Sequence, residues 1–303
     1  MKALYIDCGM GAAGDMLTAA LLELLPEPEK FVERLNSLGI PGVQYRAVPC
    51  VKCGIKGTRM EVSVYGEEEC AEAQAHRHEH ACGETCEHTH EHDSCGGHEH
   101  SHDGGPARCE EHTHDGTHEC KHEHGHACGG RHHHAGMADI EAIFARLDMP
   151  DGAKADALAV YRIIAGAESA VHGVPVTQIH FHEVGAMDAV ADVAAVSLLM
   201  HELAPARVTV SPVHVGSGTV RCAHGVLPVP APATARILEG VPIYGGEVRG
   251  ELCTPTGAAL LKHFAADFGP MPLMRLEKTG YGMGKKDFGD RANCVRVMIG
   301  ETD

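Results

Sequence analysis

MKALYIDCGMGAAGDMLTAALLELL, residues 1–25, sets a strand, a turn and a helix in immediate succession. Ala3–Asp7 is apolar and β-branched enough for a buried strand, and Cys8–Gly14 is a tight loop of Gly and Ala. Asp15 then opens an apolar helix expected over Met16–Leu25, which Pro26 and Pro28 stop. Working outward, a second helix is expected over Glu29–Leu38, ending at Gly39. Val43–Val51 and Ile55–Tyr65 read as two strands joined at Lys52-Cys53-Gly54.

Folding signals then stop. Residues 66–136 carry 18 of the 25 His and 7 of the 13 Cys. With 16 Asp and Glu against 4 Lys and Arg, they also carry −12 of the net charge of −17. Such a segment has too little to bury to offset chain entropy, so the expectation is a long disordered His-rich insertion. Its anionic field gathers cations and repels nucleic acid.

Order resumes with helices expected over Asp139–Leu147, Lys154–His172 and Asp188–Leu203. Strands follow at Val208–Val215 and around Thr219, then helices near Ala233–Glu239 and Thr256–Ala266. Strands near Pro242–Val248, Leu273–Lys278 and Asn293–Ile299 close the chain. The fold class is therefore α/β, of the mixed α+β kind and not a strict Rossmann alternation. The expected division is an N-terminal α/β segment, 1–65, the insertion, 66–136, and a segment completing the folded core, 137–303. Asp7 and Asp15 interrupt any signal-peptide core, and no run is long enough for a membrane helix, so the expected location is cytoplasmic, with the cysteines reduced. The oligomeric state, a homo-oligomer included, is left open.

Four His-x-His-x-His triplets mark the insertion: His76, His78 and His80; His88, His90 and His92; His98, His100 and His102; His122, His124 and His126. In an extended chain alternate side chains share a face, so each triplet can offer several imidazoles to one ion. Imidazole suits nickel, zinc and copper, and affinity alone would favour copper, so selectivity must come from supply. In the folded part, His180 and His182 alternate on an extended segment, while Asp188 and Asp192 share a face of the next helix. With Glu183 between them, they are expected to converge as a second divalent-metal set; the alternative is that the histidines are partners of the helix N-terminus and Asp188 is only its cap.

Asp7 and Asp15 bracket a glycine loop whose Gly11 and Gly14 can present backbone N–H groups to an anion; Thr254, Thr256 and Gly257 open a helix with the same capacity. Asp7, Asp15 and Glu183 are the candidate proton-transfer groups. Two motifs are discounted. Cys50 and Cys53 have redox spacing without the helix a thioredoxin site needs. Gly280–Lys286 is one residue short of a P-loop and has Lys286 where Ser or Thr belongs.

The segments DCGMGAAGDM (7–16), HGVPV (172–176), HFHEVGAMD (180–188), CAHGVLPVPAPAT (222–234), GELCTPTGAA (250–259) and GYGMG (280–284) occur in that order. The string closely resembles the LarC family of nickel-insertion proteins. The resemblance implies a lyase-class insertase that places Ni2+ into pyridinium-3,5-bisthiocarboxylic acid mononucleotide, for a lactate racemase-type apo-enzyme as recipient. It further implies CTP with Mn2+ or Mg2+, associated with a C-terminal module. The chain stops at Asp303 and reads as the N-terminal part alone; the rest is expected as a separate C-terminal subunit, a frameshifted reading frame, or absent. Non-catalytic nickel storage or metallochaperone work, and a zinc hydrolase built on His180, His182 and Asp188, are the alternatives.

Overall fold

In the computed structural model the described residues are 1–68, 136–179, 181, 186–222 and 224–303. Strand β1 (Lys2–Asp7) leads through the glycine loop into helix α1 (Gly14–Leu22), and α2 (Pro28–Ser37) follows. The first helix stops short of the expected Leu25. Its last N–H groups, on Leu24 and Leu25, turn back to the carbonyls of Leu21 and Leu22, three residues away. That is the tightened final turn common at helix ends. Strands β2 (Val43–Lys52) and β3 (Ile55–Val64) form the expected hairpin, and β4 (Glu67–Glu68) pairs back onto β3.

Helices α3 (Met137–Arg146), α4 (Asp151–His172) and α5 (Met187–Leu203) come next. The expected strand Val208–Val215 is two strands, β5 (Arg207–Val210) and β6 (Val213–His214). Pro212 lacks the N–H a continuous strand would need there, and the Ser211 hydroxyl instead accepts the Cys8 N–H at 2.9 Å. Short strands β7 (Gly216–Ser217), β8 (Thr219–Cys222) and β9 (Gly225–Pro228) precede helix α6 (Pro232–Ile237). Only Ile243–Tyr244 (β10) of the expected strand at 242–248 is extended and paired; β11 (Gly250–Glu251) follows. Helix α7 (Pro255–Phe264), β12 (Asp267–Phe268), β13 (Arg275–Met283) and β14 (Cys294–Glu301) complete the chain.

The main sheet runs β12-β5-β1-β14-β13-β3-β2, with β4 on β3. It is mixed: β1 is parallel to β5 and antiparallel to β14, while β13 meets β3 in parallel at Gly282 and Thr58. The fold is α/β, as expected. Helix α5 is apolar almost all round and buried from Ala189 to Leu203 on nearly every face, which makes it the central helix of the core. Helix α1 lies between α5 and the sheet. It reaches the sheet because β13 is glycine where it crosses. A Cβ on Gly282 would fall 1.8 Å from the Met16 carbonyl oxygen, and one on Gly280 would fall 2.1 Å from that of Ala20. The GYGMG segment is thus a strand shaved for a helix, consistent with its rejection as a phosphate loop. No helix among the described residues is long and apolar enough to cross a membrane.

Candidate functional site

The chain ends that surround α5 leave a cavity of about 480 Å³. Its floor comes from two helix N-termini. Asp15 is in the first turn of α1; Asp188 is in the first turn of α5, with Asp192 one turn on. Carboxylates are favoured at that end of a helix dipole. All three line the cavity. The Asp15 N–H donates to the Asp192 carboxylate, and Asp15 Oδ1 accepts the Met16 N–H at 2.8 Å. Asp188 Oδ1 and Asp192 Oδ1 are buried and have no hydrogen-bond partner among the described residues. Leaving such atoms unmatched costs about 1–3 kcal/mol each, so the floor is built for a proton or a cation.

Burial pushes the Asp192 carboxyl well above the ordinary carboxylate range, the Asp15 and Asp188 charges push it further, and Lys285 opposes them. Asp15 is raised for the same first reason, against Lys285. Beneath them, burial and then the Asp192 charge hold the Tyr45 phenol neutral, its hydroxyl donating to the Ala191 carbonyl at 2.8 Å.

Cations line the same cavity, Lys285 near enough to Asp15 and Asp192 to oppose the rise in their pKa. Arg221 comes from the β8–β9 hairpin and Lys285 and Lys286 from the turn between β13 and β14. The start of α7 lies on the same cavity: Thr254 caps it, Oγ1 accepting the Gly257 N–H at 3.1 Å, and Pro255 and Thr256 line the wall. Such a cap is worth about 1 kcal/mol. The rim is completed by Glu168 and His172 at the end of α4 and by Cys222 and His224 of the hairpin.

Of the expected residues, Asp15, Gly14, Asp188, Asp192, Thr254 and Thr256 meet on this cavity. Gly11 and Gly257 do not line it. Gly11 has φ +77° and packs on the Leu252 carbonyl, and its N–H donates to the Cys8 carbonyl at 2.9 Å. Gly257 packs on the Ala12 carbonyl. Their role is to let two backbones touch: the Ala12 N–H donates to Leu252 and the Thr254 N–H to Ala12, which brings α1 and α7 to one wall. Asp7 lies outside the cavity, held by the Arg296 guanidinium at 2.5 Å and by the Gly9 N–H. His180, His182, Glu183 and the twelve triplet histidines of the insertion lie outside the described residues. Among the described residues no group of three or more His, Cys, Asp and Glu is gathered to hold a metal ion.

Sequence reasoning missed Lys285, Arg221 and the rim histidines. Lys285 follows GYGMG and His224 sits in CAHGVLPVPAPAT, so both were within motifs already singled out.

Residues 4–303 match the model of the nickel insertion protein family. The chain is similar to the pyridinium-3,5-bisthiocarboxylic acid mononucleotide nickel insertion protein of Geobacillus kaustophilus, with 34% identity over 301 residues, 99% of this chain and 60% of that protein. It is equally similar, at 34% over 301 residues, to the protein of that name from Desulfitobacterium hafniense (strain DSM 10664 / DCB-2), covering 59% of it. A protein of the same name from Nocardioides sp. is 46% identical over 167 residues, 55% of this chain and 42% of that protein. The chain thus spans about 60% of the length of the first two relatives. No solved structure matches it. With nearly its whole length matched by one family model, the chain belongs to the nickel insertion protein family.

Proposed function

We propose that this chain carries the centre that inserts nickel into pyridinium-3,5-bisthiocarboxylic acid mononucleotide. The observation that carries the reading is one cavity with carboxylates on its floor and cations on its wall. At about 480 Å³ it lies within the usual range for small-molecule sites, about 300–1,000 Å³. Arg221, Lys285 and the N-terminus of α7 are suited to the phosphate and thiocarboxylate charges of the nucleotide. Asp188 and Asp192, with His180 and His182 as the sequence suggests, are suited to nickel, which is here a substrate.

Insertion replaces a ring C–H bond by a nickel–carbon bond. The electron pair of the C–H bond goes to nickel, two sulfurs complete the grip, and the proton must leave to a base. Of the two candidate bases among the described residues, Asp7 and Asp15, it is Asp15 that lines the cavity, and its raised pKa makes it a stronger proton acceptor than an ordinary carboxylate. CTP and its Mn2+ or Mg2+ belong, by resemblance, to the C-terminal module, and no step above runs through them. The His-rich insertion collects nickel for this centre.

The test is nickel-dependent activation of a lactate racemase apo-enzyme, with nucleotide, CTP, Mn2+ and a C-terminal module supplied. Asp188→Asn and Asp192→Asn should each abolish activation at saturating nickel while the protein stays folded. Normal activation by both would remove the carboxylate floor from the chemistry. The second reading, storage without chemistry, is favoured by the 18 histidines of residues 66–136. It requires that the purified chain bind nickel but not the mononucleotide.

A further inference from the structure

We infer that His172 and His224 form a two-imidazole nickel-docking site on the rim of the cavity, distinct from the carboxylate floor. The inference rests on the insertion reading only for its purpose. His172 is the last residue of α4, fixed by the left-handed Gly173 that ends the helix. His224 stands in the turn of the β8–β9 hairpin, where Cys222 faces Gly225. These segments are remote in the chain, yet the two rings come to a centroid separation of 5.0 Å with planes 35° apart.

That separation, ordinary for a tilted ring contact, also fits two imidazoles on a shared ion. A metal–imidazole bond is about 2.0–2.1 Å, which puts the ring centroid about 3.2 Å from the metal. Two such rings at an angle near 100° have centroids about 5 Å apart. The outer shell is also present. Glu168, one helical turn before His172, has Oε2 3.2 Å from His172 Nε2. A ligating histidine commonly donates its other ring N–H to a carboxylate, which orients the ring and raises its basicity.

A Glu and a His four apart on a helix pair often enough without any metal. What such a pair does not account for is the second ring, delivered from a hairpin to ligand spacing over the same cavity. The His172 side chain keeps 34% of its exposure, so an ion can reach it from solvent. Two ligands hold nickel weakly and leave its other positions to whatever brings the ion and whatever receives it. That matches the lack of any three-ligand group among the described residues. The pair is a transfer point and not a store.

The test is carbethoxylation of the full chain by diethyl pyrocarbonate, read histidine by histidine through peptide mass mapping, with Ni2+ or Mg2+ present. Nickel should slow modification of His172 and His224 together, and leave the exposed His201 unchanged; magnesium should protect neither. In His224→Gln the protection of His172 should be lost. In Glu168→Gln the nickel needed for half-protection should rise about tenfold. Equal rates with and without nickel, at nickel levels that saturate cofactor insertion, would overturn the docking site and leave the insertion reading standing. Protection in a chain that inserts no nickel would uphold the docking site and sink the insertion reading.

Discussion

The Asp192 carboxylate lies against the α-carbon of Gly14: a methyl group on that glycine would come within 2.4 Å of Asp192 Oδ2 and 2.5 Å of its Cβ. Gly14 opens α1, and an Ala there suits the helix better than Gly by about 1 kcal/mol. The glycine is therefore kept for the contact and not for the helix. Gly14→Ala should displace the Asp192 side chain from the floor. Because the Asp192 Cβ is fixed to α5, α1 must give way as well, so we expect a folded protein whose thermal midpoint falls and whose activation of the apo-enzyme, assayed well below that midpoint, falls about tenfold or more, equivalent to about 1.4 kcal/mol or more in the barrier. Unchanged activation would show that the position of Asp192 does not matter to insertion.

Asp192 also carries a stability prediction. Burial, with Asp15 and Asp188 beside it, raises its pKa in the folded chain above the unfolded value of about 3.9. Between those two values the folded state holds the extra proton, so stability falls as pH rises through that window. Above the folded value the whole penalty applies; below about 3.9 it vanishes. Asp192→Asn removes the charge, so in chelator it should melt higher than the parent at pH 7, by about 2–4 °C for each kcal/mol released. The gain should shrink as the pH is lowered toward 4. A variant that melts lower at pH 7 would mean that Lys285 already compensates the charge.

Gly282 tests the packing that positions the floor. Its added Cβ would meet the Met16 carbonyl oxygen and the Ala20 nitrogen, both backbone atoms of α1 that cannot swing aside. Gly282→Ala should cost about 1–3 kcal/mol or more and lower the midpoint by at least about 2 °C. Gly166→Ala in α4 is the control, since nothing lies within 4 Å of its Cβ position. That variant should match or exceed the parent, because Ala is the better helix former. Equal loss in both would assign the effect to glycine removal in general and not to the crossing of α1 over β13.

These cases show what was legible in the sequence. The strand at 2–7, the helices and the β2–β3 hairpin follow from local periodicity, and the structure has them within a few residues. Asp188 and Asp192 were paired correctly because four residues is one helical turn. Asp15 joined them only through the packing of α1 on α5, which no local spacing encodes. Gly11 and Gly257 look like anion-binding loop residues, yet each, like Gly280 and Gly282, is small so that two backbones can touch. His172 and His224 were invisible as a pair because the contact joins a helix end to a distant hairpin turn.

The last prediction separates delivery of nickel from its chemistry. A histidine-rich tract can concentrate ions, whereas insertion needs the metal held in position by rigid elements. Residues 66–68 close β4 onto β3, so the replacement should spare them. A chain with a short Gly/Ser linker in place of residues 69–135 should activate the apo-enzyme normally at high nickel and poorly when nickel is scarce. Replacing His180 and His182 by Ala, with the tract intact, should impair activation at every nickel concentration, because those imidazoles precede Asp188 at the entry to α5. The two nickel titrations should therefore differ in kind. The linker variant should show a shifted midpoint with a full plateau, and the double variant a lowered plateau. If the double variant reaches the parent's plateau with its melting curve unchanged, His180 and His182 take no part in holding nickel, and the carboxylates of α5 must find their remaining ligands elsewhere.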